Sequence, residues 1–439
     1  MNKVCFMLFC CLLLPCFFAK SGAQTLKRKA LPRMQLSKTD TLAGAVVNAI
    51  TPGSAVAGAG IVKGDRILSI NGVVLSDAVV LANSLRKLRG GDTVRLQVQR
   101  AGTAHPLAIS FVPQPAPLET FANLNLERIA ITNKYGDVLQ AYLTKPKNAT
   151  GRLPAILFVS WLSCATIELT DLTDNWTKML RTVAEQSGAV FLRLEKPGVG
   201  DSEGIACSDC ELQRELNGYE AALRYLKSRA DVDTSRLLIF GASLGGSLGP
   251  LVGRGHHIKA YVSAVSVYKT WLEHMIELER RRMALSGRSQ AEASELMPGY
   301  VDFYRAYLHE RQTPAAVIKK NPQLGSLWYD APAHQYGRPA AFYHHVADQN
   351  FFAAWASVTA PVLVVAGEHD WIMTLDDSHL LRDELNSIHP GQVSLIVGKG
   401  MDHHWTKYGS AKAAFEEKGG VYDEATVALM VDWIKNALQ

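Results

Sequence analysis

Three short stretches carry the residues best suited to nucleophilic chemistry. The first is Gly241-Ala242-Ser243-Leu244-Gly245, directly after the apolar run 237–240. This G-x-S-x-G pattern puts a hydroxyl at the tip of a sharp strand-to-helix turn, where backbones pass too close for large neighbours at the flanking positions. A serine hydroxyl is a weak nucleophile at neutral pH. It needs an imidazole to take its proton and a carboxylate to hold that imidazole in one tautomer. Both types follow, in the order acid then histidine. Gly367-Glu368-His369-Asp370 ends one apolar run, and Gly400-Met401-Asp402-His403-His404-Trp405 ends another. The spacing selects Asp370 as the carboxylate, with Glu368 and Asp376 as substitutes, and His403 as the base, with His404 as the alternative. The pairs His256-His257 and His344-His345 lack metal-ligand spacing, and no metal or organic cofactor is implied.

These groups meet only if the elements before them lie side by side. Apolar, β-branched runs at 128–132, 138–143, 155–160, 190–194, 237–240, 260–265, 361–366 and 393–397 read as strands. Helical patterns at 176–186 and 212–227 alternate with them. Such alternation predicts a mostly parallel sheet covered by helices on both faces, with loops at the strand ends carrying the chemistry. The alternation stops between about 268 and 358, where Trp271, Met275, Leu278 and Met283 keep helical spacing. That stretch reads as helices inserted over one edge of the sheet.

The N-terminal third has another rhythm. Short β-branched runs at 45–50, 66–70 and 93–99 are separated by Pro52-Gly53, Lys63-Gly64-Asp65, Asn71-Gly72 and Gly90-Gly91, with one helical pattern after Asp77. The core "PGSAVAGAGIVKGDRILSINGVVL" resembles a PDZ domain of the bacterial kind, over residues 38–113. The resemblance implies a small α+β fold and a Φ-Gly-Φ loop that receives a peptide's C-terminal carboxylate, matched here by Leu42-Ala43-Gly44-Ala45. Peptide binding at Ala43, Gly44 and Ala45 and intramolecular docking of the module are both open readings. Residues 24–37 read as a mobile lead-in, and the Pro-rich 114–124 as a linker.

Residues 125–439 are similar to α/β-hydrolase fold serine hydrolases with a helical cap, the bacterial group related to serine aminopeptidases and esterases. The motifs are the serine turn, the acid and histidine loops, and "LRLEKPGVGDSEG" at 192–204. The resemblance implies a three-layer architecture and an oxyanion hole of two backbone N–H groups, from Leu244 and from Leu162, with Trp161 as the fallback. Many relatives carry His-Gly where this chain has Trp161-Leu162, and Glu195 stands where they carry an aspartate or an arginine. The resemblance also makes the loops after the third and fourth strands neighbours. A Cys164–Cys207 disulfide is therefore expected, with Cys164–Cys210 as the second pairing.

Bulk properties narrow the setting. The 439 residues, 48% apolar and 20% charged, suit a globular chain of two to three domains. Residues 1–23, with Lys3, an apolar core at 4–18 and Ser21-Gly22-Ala23, read as a cleavable signal peptide. Pro15 before Cys16 argues against a lipoprotein. Cleavage removes Lys3 and Lys20 from 46 basic residues against 41 acidic ones, leaving +3 and no nucleic-acid footprint. The expected protein is secreted or periplasmic, without a membrane span after cleavage. Its substrate would be a small-molecule ester or a short peptide, attacked through an acyl-enzyme. The competing class is a catalytically inactive hydrolase-fold scaffold that binds peptide C-termini through the PDZ-like module.

Overall fold

The computed structural model describes residues 25–31, 33–37, 43–330 and 334–439. The proposed signal peptide and Leu42 lie outside them. An eight-stranded sheet organises the larger domain: β1 (Leu124–Thr132), β2 (Val138–Pro146), β3 (Leu153–Val159), β4 (Val190–Leu194), β5 (Val232–Ala242), β6 (Ala260–Ala264), β7 (Val362–Gly367) and β8 (Val393–Gly398). Their order is β1-β2-β4-β3-β5-β6-β7-β8. β2 runs antiparallel to both β1 and β4, and every later pairing is parallel.

The central strands are buried along their length, as continuous apolar runs between two helical layers must be. One face packs on helices Asn175–Gln186 and Glu424–Ala437, through residues such as Met179, Leu180, Val427 and Ile434. The other packs on Leu212–Ser228 and Leu244–Gly253, through Tyr219, Leu223 and Leu248. β8 closes the sheet as a half-exposed edge. Between β6 and β7 the chain leaves the sheet for helices at Trp271–Leu285, Gln290–Tyr304, Pro314–Lys320, Ala340–Ala347 and Phe351–Ala356. Capping boxes at Thr270/Glu273 and Ser289/Glu292 start the first two. No helix among the described residues is long and apolar enough to cross a membrane.

The N-terminal domain is a small sheet in the order Met34–Ser37, Ala45–Ile50, Arg66–Ile70, Val94–Gln99, Leu107–Phe111, with helices Ala55–Gly58 and Ala78–Arg86 against it. Val47, Ile67, Leu81 and Leu96 form its core.

Two expectations change here. The described part of 24–37 is not a mobile lead-in: Ala30–Leu31 pairs with Gln114–Pro115, and Met34–Ser37 pairs with Ala45–Ile50. Arg28 and Arg128 both pair with the buried Asp201, and the Lys29 N–H donates to the same carboxylate at 2.7 Å. The segment at 114–124 is also more than a linker, because Glu119 is buried and pairs with the equally buried Arg193. Both revisions have one cause: these charges find partners far along the chain, and a buried charge is held in place by its partner.

Candidate active site

The turn that carries Ser243 is a product of steric exclusion. A Cβ on Gly241 would lie 2.3 Å from the Gly245 carbonyl oxygen, and one on Gly245 would lie 2.1 Å from that of Val159. Ser243 between them has φ +54° and ψ −132°, outside the regions that L residues favour. The Ser243 N–H donates to Ala264 O at 2.9 Å, and its carbonyl accepts from the Gly246 N–H at 2.9 Å. The strained conformation is thus pinned on both sides and throws the hydroxyl off the sheet edge.

The loops after β7 and β8 bring the other two groups to it. His403 Nε2 lies 3.1 Å from Ser243 Oγ, and His403 Nδ1 lies 2.9 Å from Asp370 Oδ2. The other carboxylate oxygen of Asp370 accepts from the N–H groups of Ile372 and Met373 at 2.9 and 2.8 Å. A carboxylate held at both oxygens is placed to accept from an Nδ1–H, which leaves Nε2 to accept from the serine. All three residues are buried. The edge of Trp176 packs against the His403 ring with centroids 5.9 Å apart.

The alternatives lie elsewhere. His404 turns towards Asp402, 3.6 Å away, with half its side chain exposed. Glu368 accepts from the Gly400 N–H at 2.7 Å, bracing the histidine loop. Asp376 is exposed in the first turn of helix Leu375–Ile388.

Leu244 opens helix Leu244–Gly253, so its N–H has no intrahelical acceptor and sits where the helix dipole favours an anion. Leu162 and Trp161 line the same cavity as Ser243 and His403, a space of about 620 Å³. Its walls include Trp176, Trp271, Trp371 and Tyr336, with the last three near or on the inserted segment. His274, on helix Trp271–Leu285, also lines it; burial lowers its imidazole to about 3, so it stands there neutral.

A disulfide links Cys164 to Cys207, and Cys210 is a free, buried thiol. Glu195 is buried and accepts from Thr166 Oγ1 and the Ile167 N–H, holding the loop after β3; burial raises its carboxyl to about 7. Lys196, next to it, donates to the carbonyls of Trp161 and Ser163. Neither this grip nor the Trp176 contact figured in the sequence reading. The motif "EKPGVGDS" marks the loop but not its partners.

The PDZ loop assignment is overturned. The Gly44 N–H already donates to Leu75 O at 3.0 Å, and a Cβ there would lie 2.7 Å from Ile67 O. Strand Ala45–Ile50 is paired on both edges, with Met34–Ser37 and with Arg66–Ile70. Ala43 and Gly44 lead into Ala45–Ile50, and among the described residues that strand has no free edge to which a peptide strand could be added. Small residues around one glycine suit a close approach to a neighbouring strand as well as a carboxylate cradle.

The PDZ domain family matches residues 25–110, which begins earlier than the 38–113 expected. The α/β-hydrolase domain-containing protein WAV2 of Arabidopsis thaliana is 33% identical over 94 residues, 21% of this chain and 29% of that protein. The matched stretch thus spans under a third of that relative's length. Among solved structures, Est1E from Butyrivibrio proteoclasticus with ferulic acid bound has a TM-score of 0.46 at 19% identity, covering 70% of this chain and 96% of its own. The Pyrococcus furiosus esterase Pf2001 gives 0.44 at 12%, covering 74% and 97%. The sheet order, the serine turn between β5 and its helix, and the matched module define the class: an α/β-hydrolase fold with a helical insertion, preceded by a PDZ domain.

Proposed function

We propose that this protein is a serine hydrolase that transfers the acyl group of an uncharged ester to water. The observation that carries the reading is the unbroken Ser243–His403–Asp370 hydrogen-bonded line at the floor of an aromatic cavity. Ser243 Oγ attacks the ester carbonyl while His403 Nε2 takes its proton. The N–H groups of Leu244 and Leu162 receive the developing oxyanion. Collapse expels the alcohol, which takes the proton from His403. Water, activated by the same imidazole, then adds to the acyl-enzyme and releases the acid, restoring Ser243.

The lining favours esters over aminoacyl substrates. A peptide amino terminus needs an uncommitted carboxylate. Of the cavity's acidic residues, Glu168 carries the Arg28 guanidinium and keeps only its buried Oε1 without a hydrogen bond, Asp171 accepts from Thr173, and Asp174 caps helix Asn175–Gln186. No lysine or arginine among the described residues lines the cavity, and His274 is neutral there. The remaining surface is mostly apolar, aliphatic and aromatic side chains together, and suits an uncharged acyl or alcohol group. The Cys164–Cys207 disulfide supports an oxidising compartment, in keeping with the proposed signal peptide and a secreted or periplasmic protein.

Hydrolysis of p-nitrophenyl esters of graded acyl size, compared with aminoacyl p-nitroanilides, tests the reading. Esters are expected to be preferred by at least about tenfold in kcat/KM, the scale of one well-placed contact. Faster cleavage of the aminoacyl anilides would overturn the ester assignment. Turnover undiminished in Ser243→Ala would overturn the serine mechanism.

A further inference from the structure

We infer that Lys196 is a positioning residue for the oxyanion hole, holding the Trp161 and Ser163 carbonyls so that the Leu162 N–H faces the nucleophile. This inference rests on the serine-hydrolase reading. The loop after β3 runs from 160 to 174 without regular secondary structure, so its own ladder of backbone bonds cannot fix its peptide planes. Lys196 supplies what is missing. Its ammonium donates to Trp161 O and, at 2.9 Å, to Ser163 O; its third neighbour is the Glu215 carboxylate at 3.5 Å. Lys196 itself is 4% exposed, so water does not compete for these donors.

The geometry of the peptide unit does the rest. No cis bond occurs among the described residues. In a trans peptide the carbonyl and the following N–H point in opposite directions. With the Trp161 carbonyl turned to Lys196, the Leu162 N–H turns the other way, and Leu162 lines the cavity that holds Ser243. Rotation of that one peptide would aim a carbonyl, not an N–H, at the developing oxyanion. An ammonium gripping the carbonyls on both sides of Leu162 opposes the rotation through charge-assisted bonds.

The charged and titratable groups facing Lys196 are Glu215 on helix Leu212–Ser228, Arg338 in the insertion and the Cys210 thiol. Burial, partly offset by Glu215, lowers the lysine to about 8. The ammonium is thus present at neutral pH and is lost as pH rises through that value, weakening the grip.

Steady-state kinetics on a neutral p-nitrophenyl ester, for wild type, Ser243→Ala, Lys196→Met and Lys196→Arg, test the inference. Thermal melts and fluorophosphonate labelling accompany the kinetics. Lys196→Met is expected to lower kcat ~10²-fold, the scale of one lost oxyanion donor, with KM within about twofold. Wild-type kcat is expected to fall above pH 8 at constant KM, and the fall should vanish in Lys196→Met. Lys196→Arg, which keeps a cationic donor, should recover part of the rate. A wild type that turns over the ester through Ser243, with Lys196→Met at wild-type kcat, would overturn the inference alone. If Lys196→Met does not fold, a wild-type kcat that stays flat from pH 7 to about 9.5 would overturn it. A wild type that neither labels nor turns over would overturn the underlying reading and this inference together.

Discussion

The two turns that face each other across the cavity are built on opposite plans. The Ser243 turn is held by packed backbone. Gly241 and Gly245 leave no room for side chains, and Ser243 is fixed by the backbones of Ala264 and Gly246. The facing loop at 160–164 is held from without. Tyr219 binds Ser160, Lys196 binds the carbonyls at 161 and 163, and Cys207 is bonded to Cys164. The first plan depends on close backbone-to-backbone contacts, with β3 and β6 among the partners, and allows almost no change. The second depends on side chains contributed by other elements and can be loosened by degrees. The nucleophile is thus expected to be all-or-none, while the oxyanion side is the tunable half of the site.

Substitutions can break this contrast, beginning with the largest effect. Gly245→Ala drives a methyl into the Val159 carbonyl at 2.1 Å, backbone against backbone. It is expected to abolish fluorophosphonate labelling and most of the cooperative melt; a folded, labelled variant would show that the turn has slack. Cys164→Ser releases one anchor of the facing loop. It should lower Tm by about 5–10 °C and kcat by ~10-fold, since the donors shift rather than vanish. Unchanged kinetics would place the loop's order in its other anchors.

Asp201→Asn addresses the seam between the two domains, away from the chemistry. It removes the charge shared by Arg28 and Arg128. Tm should fall by about 2–5 °C, with kcat within about twofold. A large kinetic loss would instead mean that the PDZ domain supports the cavity rim through the Arg28–Glu168 pair.

The smallest effect is one of pH. Burial raises Glu195 to about 7, above its unfolded value. Its contribution to stability is therefore fully present below the ordinary glutamate range and is lost as pH rises through about 7. Glu195→Gln should flatten that decline, changing the Tm difference between pH 5 and 8 by about 2–4 °C. Identical pH slopes for the two proteins would contradict it.

The same contrast explains what the sequence revealed. Ser243, Asp370 and His403 could be picked out because each ends an apolar strand in a short loop of recognisable composition, and the parallel sheet then had to gather those loops. The glycines around Ser243 carried their own steric reason. Lys196 could not be assigned a role, because the carbonyls it binds belong to residues 33 and 35 positions earlier. Residues 24–37 read as a mobile lead-in for a similar reason: the carboxylate that orders Arg28 lies 173 positions on. Ala43–Ala45 misled because small residues beside a glycine fit several kinds of turn. Only the pairing of both edges of Ala45–Ile50 distinguishes them.

The central claim is that Ser243 is the activated nucleophile. Peptide-mapped mass spectrometry of the full chain after fluorophosphonate treatment tests it most directly. A single phosphonyl adduct on the peptide containing Ser243, strongly slowed in His403→Ala, is the predicted result. An adduct on another residue, or none on a correctly folded protein, would contradict the account.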